Sequence, residues 1–406
     1  MTRHLTSLAA LAIALPAAAQ DWKTAEAPIL SNYRQLTTAE SFVRAGEAYF
    51  DPETDWVIFQ AVPPPPEGEE PSPHYSMYLA GIMLNEDTRE ITGLIDAVKV
   101  SVNDSANTCG WFHPTKPGIF IYGTTIIPPS EDNVPGYQRD TSTYRWAFPT
   151  EMDIYASAPK EALRTEIGML AYGINTPRPV VKRDGYDAEC SLSPDGRYLL
   201  YVHVDEERSE RIGRADGNIW IRDQELNQDI GLIGAEGYDG GPFFSPDGNW
   251  IVYRSDRKGD NLLQLFMAEI AYEEGTGRVL GVKREIQLTE NEHVNWAPFW
   301  HPSGRFIIYS TSEVSHRNYE VFALEVFNED GLPVADAEPV RITHADGFDG
   351  LPVFNADGSL MMWTSQRAPK SPGEERPSSQ LWLADVNTDA LFRAVTGGPP
   401  PAADED

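Results

Sequence analysis

From the middle of the chain onward, short apolar runs alternate with one recurring polar turn. CSLSPDGRYLLYV, FFSPDGNWIVYRS, FWHPSGRFIIYST and VFNADGSLMMWTS each read as two strands joined tightly, with the turn proline at 194, 246 and 302 and Ala356 in its place in the last. Apolar and polar positions alternating over roughly four to eight residues mark a half-buried strand. The spacings are 52, 56 and 54 residues. A looser template finds WFHPTKPGIFIYGTT at Pro114 and YFDPETDWVIFQAV at Pro52, at intervals of 80 and 62. In the turn, Pro presets the second position, Asp bonds locally and Gly takes the left-handed conformation that follows. Asp195 and Asp247 are therefore read as turn residues, not catalysts.

A third strand follows each hairpin: HYSMYLAGI, EMDIYASA, GNIWIRD, LQLFMAEI, NYEVFALEV and SQLWLADV, with a fourth of the type EIQLT or PVRIT. Six four-stranded antiparallel units at this period predict an all-β fold, a six-bladed β-propeller. One such sheet cannot bury both faces alone, whereas six stacked radially bury each against a neighbour. Pro242, Pro298 and Pro352 share one aligned position, four residues before the turn marker. Proline cannot donate to a ladder, so the first strand of each unit keeps a free edge, which in a propeller runs along the central channel.

Ring closure has two candidates, YRQLT near the N-terminus and FRAVT near the C-terminus. The long intervals predict insertions: PPPPEGEEPSP, Pro63 to Pro73, and material within Ile126 to Lys182, where PKEALRTEIGML reads as a short amphipathic helix. Ahead of the repeats, Arg3 and His4, the apolar run Leu5 to Leu15 and Ala17-Ala18-Ala19 form a secretory signal peptide. The run is shorter than the roughly 20 residues that cross a bilayer. The expected organisation is a signal peptide at 1–19, a lead-in at 20–32, the propeller at 33–396 and a disordered tail at 397–406, in a periplasmic or secreted protein without membrane insertion.

A hydrophobic content of 41% sustains a core, and a net charge of -30 argues against nucleic acid or anionic lipid as partner. Cationic peptides, metal ions and basic protein patches fit that charge. Cys109 and Cys190 lie five and four residues before their markers, on opposite strand faces, and are expected as free, buried thiols. His113 and His301, beside the turn marker, are expected at the surface. There is no G-x-S-x-G elbow, H-E-x-x-H or phosphate loop.

The units resemble those of the TolB-like six-bladed propellers of bacterial envelopes, whose repeats share the phrase x-P-x-F-S-P-D-G-x-x-[IL]-x-[YF]-x-S followed by a D-[IL]-[YW] strand and an LT strand, and the resemblance covers roughly residues 33 to 396. The first two units depart most, with DPETDW and HPTKPG in place of SPDG. The resemblance implies a periplasmic protein that binds other macromolecules, as the Tol-system propeller does with outer-membrane lipoproteins and with peptide segments in its channel. That propeller's separate N-terminal α/β domain is expected to be missing here. Similar propellers precede the catalytic domain of prolyl-oligopeptidase-type peptidases, and no span is left over for such a domain.

Aligned on the marker, a column seven residues upstream reads Ala45, Asn107, Asp187, Asp239, Asn295 and Asp349; two residues later it reads Glu47, Cys109, Glu189, Gly241, Ala297 and Leu351. The candidate ligand-binding residues at the channel mouth are Asn107, Asp187, Glu189, Asp239, Asn295 and Asp349. Oxygen ligands converging from separate blades suit a divalent cation such as calcium or a ligand amine. The other reading is that Asn and Asp cap the loop leading into each first strand. Tyr186, Tyr238, Trp296 and Phe348 lie beside this ring as stacking walls, and His293 lies on a neighbouring loop. The cofactor is otherwise unknown.

The leading expectation is an exported, monomeric, non-catalytic propeller that binds an envelope protein, a peptide or a glycan at its channel mouth. The rival is a channel-sited enzyme, a metal-dependent polysaccharide lyase or hydrolase, with Asp187, Glu189 and Asp239 as ligands or general base. A His cluster at the ring would favour the enzyme, and the sequence holds none. A purely structural envelope subunit is a third reading.

Overall fold

Each hairpin phrase folds into the two inner strands of a four-stranded antiparallel sheet, and six such sheets make the propeller. The computed structural model describes residues 21–130, 136–138, 143–145, 148–371 and 373–400. The predicted signal peptide with its cleavage site near Ala19, and the last six residues of the predicted tail, lie outside them. The first strands are Arg44–Phe50, Asn107–Phe112, Asp187–Leu192, Asp239–Phe244, Asn295–Trp300 and Asp349–Phe354, and each lies at the edge of its sheet. Pro242, Pro298 and Pro352 sit inside three of them, where a missing donor costs no ladder bond. Second strands such as Trp56–Val62 and Trp250–Ser255 are buried along their whole length, because both faces meet a neighbouring blade. Their apolar runs are therefore unbroken rather than alternating.

The ring closes through the N-terminus. Leu30–Gln35 pairs antiparallel with Gln380–Val386, so blade 6 is built from both ends of the chain. FRAVT is not a strand: it belongs to the helix Thr388–Thr396. The Asn387 side chain accepts from the Ala390 amide at 3.1 Å, and Leu391, Phe392 and Val395 share one buried face against blades 5 and 6.

The lead-in does more than precede the first blade. Its short helix, Trp22–Glu26, buries Glu26 against Arg367, whose side chain is 0% exposed. Arg367 donates to Glu26 at 3.0 Å and to Asp349 at 2.8 Å, and its guanidinium lies over the rings of Trp22 and Trp363. Tyr33 and the His344 amide donate to the same Glu26 carboxylate at 2.9 and 2.6 Å. A buried cation between two carboxylates thus fastens the start of the chain to the second strand of blade 6.

Three expectations are corrected. PKEALRTEIGML forms a hairpin, Pro159–Thr165 with Gly168–Ile174, not a helix. Its turn backs onto blade 1, where the Leu84 amide donates to the Ile167 carbonyl at 2.9 Å. A Cβ on Gly81 would lie 1.9 Å from the Met169 carbonyl oxygen, so strand pairing and close backbone packing override local helix propensity. His113 and His301 are buried, not at the surface, because each turn packs on the next blade's turn glycine, Gly196 and Gly358. The His301 ring stacks on Phe306 at 4.2 Å. Both cysteines are free thiols, but Cys109 is only half-buried. Cys190 packs in the apolar core between blades 2 and 3, its thiol 3.5 Å from the Cys109 carbonyl.

Candidate functional site

All six first strands are bulged at one place. The residues five before the marker, Glu47, Cys109, Glu189, Gly241, Ala297 and Leu351, have φ of 40°, 49°, 56°, 59°, 49° and 55°. The pairing with the second strand shifts register across this point in every blade. A left-handed residue costs about 1–2 kcal/mol when it carries a Cβ, and five of these six do. Bulges re-aim side chains, and here all six bulged residues line one cavity of about 360 Å³ at the channel mouth.

The cavity has a floor. Tyr49, Phe243 and Phe299, three residues before the marker in their blades, line it, and Trp111 at the same position in blade 2 packs against them across the channel axis. All six pairs of ring centroids lie within 5.0 to 6.5 Å. Such spacing is mutual contact between aromatic rings. The channel is therefore a cup and not an open tunnel. Tyr186, Trp296, Tyr319 and Phe348 extend the apolar wall, and the rim takes His74 and Tyr75 after the Pro63 to Pro73 insertion and Phe148 and Pro149 in the second insertion.

One side of the cup is polar. Glu189 accepts from the Tyr238 hydroxyl at 2.6 Å, the Gly241 amide at 2.7 Å and Arg254 at 2.9 Å; Arg254 also donates to Tyr238 at 2.9 Å. Glu47 accepts from Tyr49 at 3.1 Å and from the Cys109 thiol. Burial, with Glu189 adding to it, pushes the Glu47 carboxyl above the usual range against the opposing pull of Cys109 and Arg254. Burial likewise raises the Cys109 thiol and the Tyr238 hydroxyl, so neither ionises near neutral pH.

Of the residues expected at the site, Asn107 and Glu189 line the cup. The others lie at the start of their strands, buried beneath the bulge. Asp187 is held by Arg183 at 2.9 Å and His203 at 3.0 Å, Asp239 by Arg257 at 3.0 Å, and Asp349 by Arg367 at 2.8 Å and the Trp363 indole at 3.1 Å. Asn295 donates to Gln264 at 3.1 Å and Asn291 at 2.9 Å. His293 does not line the cup. These carboxylates do not converge, and among the described residues no three His, Cys, Asp or Glu side chains gather so as to hold a metal ion. The residues present therefore do not fit a calcium-like ion shared across the ring.

The site's missed members were spelled out in the repeats. The column three before the marker, Tyr49, Trp111, Ser191, Phe243, Phe299 and Val353, carries the floor, and the arginines closing SDR and SQR, Arg257 and Arg367, announce the partners of Asp239 and Asp349. Arg254, one turn of pleat earlier on the second strand of blade 4, carries no comparable signal.

No family model matches the chain. Over 115 residues, 28% of this chain and 22% of the other, it is 29% identical to the Tol-Pal system protein TolB of Hydrogenovibrio crunogenus. The chain is a six-bladed propeller similar to TolB over that stretch. Over 117 residues, 29% of this chain and 33% of the other, it is 27% identical to an uncharacterised protein of Agrobacterium fabrum. The match thus spans no more than 33% of the length of either curated relative. Among solved structures, the chain is similar to a TolB-type protein from Agrobacterium tumefaciens (15% identity, 87% of this chain and 96% of that one, TM-score 0.48) and to TolB from Acinetobacter baumannii (15%, 85% and 63%, 0.45). It is also similar to an oligogalacturonate lyase from Vibrio parahaemolyticus (13%, 88% and 97%, 0.44). At these identities and scores the likeness extends to blade architecture and no further.

Proposed function

We propose that this TolB-like propeller is an exported, non-catalytic binding module of the bacterial envelope that seats a peptide segment of a partner protein in the cup at its channel mouth. The observation that carries the reading is the four-ring floor beneath a ring of bulged residues: a preformed apolar recess with few polar groups is the usual shape of a recognition site. A segment enters to the floor and stops, its apolar side chain against Tyr49, Phe243 and Phe299, which Trp111 backs. Rigid blades pre-order the pocket, so binding loses little conformational entropy. The rim insertions of blades 1 and 2 are placed to select what enters, and the charge of -30 favours cationic partners.

A library of short peptides and a panel of envelope glycan fragments, screened by retention on immobilised protein, tests this. The wild type is expected to retain peptides with an apolar residue, and Phe243→Glu, which places a charge on the floor, to lose them. Retention of glycans alone, or the same peptides on both proteins, would contradict the reading.

A further inference from the structure

Among the described residues, the polar side of the cup holds more carboxylates than cations. Glu47 and Glu189 both line it, and the Arg254 guanidinium is already committed to Glu189 and Tyr238. On the strand beside Glu47 lies Gln60, the register partner of Gly46. Its side chain also lines the cavity and is 9% exposed, and its Oε1 finds no donor among the described residues. A buried acceptor without a donor carries the desolvation penalty of the unpaired group. An acceptor-rich recess of this kind is complementary to a group that brings several N–H donors and a positive charge.

We propose that the recess formed by Glu47 and Gln60 takes the ammonium or guanidinium of a lysine or arginine side chain of the bound segment, with Glu47 as its counterion and the Gln60 carbonyl as a further acceptor. This rests on the peptide-binding reading above. The aliphatic stem of such a side chain crosses the apolar wall, and the charged head is desolvated only where it is paired. The groups that bear on Glu47 are Tyr49 on its own strand, Cys109, Tyr186, Glu189 and Cys190 on the neighbouring first strands, Tyr75 and His74 at the rim, and Arg254. Arg44, near the rim, is turned to the Ser72 and Pro73 carbonyls. Among the described residues, Arg254 is the cation that pulls on the Glu47 carboxyl. At a pH where free Glu47 is protonated, arrival of the ligand's cation releases that proton to solvent and leaves a neutral ion pair. Affinity therefore rises with pH through the range in which free Glu47 is protonated and is flat above it.

Calorimetry with three blocked tripeptides decides the matter: Ac-Phe-Lys-Phe-NH2, its norleucine analogue, which keeps the stem and lacks the charge, and its glutamate analogue. The lysine peptide is expected to bind at least about tenfold tighter than the norleucine peptide, the scale of a lost charge-assisted hydrogen bond. Titrations in two buffers of different ionisation enthalpy are expected to show a fraction of a proton released per lysine peptide and none for norleucine. Glu47→Gln is expected to remove both the preference for lysine over norleucine and the proton release, and Gln60→Leu to weaken that preference. Should Glu47→Gln fail to fold by circular dichroism, Gln60→Leu and the wild-type proton release carry the decision. Equal binding of lysine and norleucine peptides would overturn the cation site and leave peptide recognition standing. No binding by any of the three would overturn both.

Discussion

Asp187, Asp239 and Asp349 are each held by a cation of their own blade, so removing one strands a buried or half-buried charge. Asp239→Ala and Asp187→Ala are each expected to lower unfolding free energy by about 3 kcal/mol or somewhat more, read by denaturant titration, with ligand affinity per folded molecule unchanged. Glu189, two residues from Asp187 and itself the bulged residue, is expected to behave in the opposite way on Glu189→Gln: loss of binding exceeds loss of stability. His301 offers a pH test. Burial lowers its pKa from 6.5 to about 4, so the unfolded chain takes up a proton in a range where the folded protein does not. Its contribution to stability is present above pH 6.5, is lost as pH falls toward 4, and amounts to about 3 kcal/mol by linkage. Asp239, raised to about 6 chiefly by burial, has the opposite sign in an overlapping range, so total stability is a poor readout. The difference between the wild type and His301→Phe isolates the term: it is expected to shift by about that amount between pH 7 and pH 4, and a constant difference would contradict it.

At the scale of the strand, the repeated bulge explains a glycine. Gly241 has φ of 59°, yet its five counterparts take the same conformation with side chains. Backbone freedom therefore does not account for it; a Cβ there would lie 2.1 Å from the Arg254 Nη1. Gly241→Ala is expected to displace Arg254 from Glu189 and to cut ligand affinity at least about tenfold, with a stability cost of only about 1–2 kcal/mol. The clasp gives a second element-scale test. Arg367→Met leaves Glu26 and Asp349 facing each other without their cation, and about 3–5 kcal/mol of stability is expected to go with it. Hydrogen exchange in Gln380–Val386 should accelerate if that loss opens the ring at blade 6. The strands were legible in the sequence because alternation and the turn phrase repeat six times. The hairpin at Pro159–Ile174 and the helix at Thr388–Thr396 were misread because each occurs once, and a backbone contact at Gly81 or a cap at Asn387 decides them.

Across the whole molecule, closure by Leu30–Gln35 fixes the diameter of the channel, and the diameter fixes what can meet at its axis. Stacking six blades brings Tyr49, Trp111, Phe243 and Phe299 into mutual contact from positions up to 250 residues apart in the chain. The aligned columns that build the cup were visible in the repeats; which column faced the axis was not. The bulge turns the residue five before the marker inward and leaves the aspartates seven before it to Arg183, Arg257 and Arg367, and alternation alone cannot reveal a register shift. Peptide recognition on the aromatic floor is the central claim, and photo-crosslinking tests it most directly. Ac-Phe-Lys-photoleucine-NH2 is bound to the wild type, irradiated, and the adducts are mapped by mass spectrometry. The account expects adducts on Tyr49, Phe243 or Phe299 that vanish in Phe243→Glu; adducts confined to the outer blade faces, or unchanged in the variant, would contradict it.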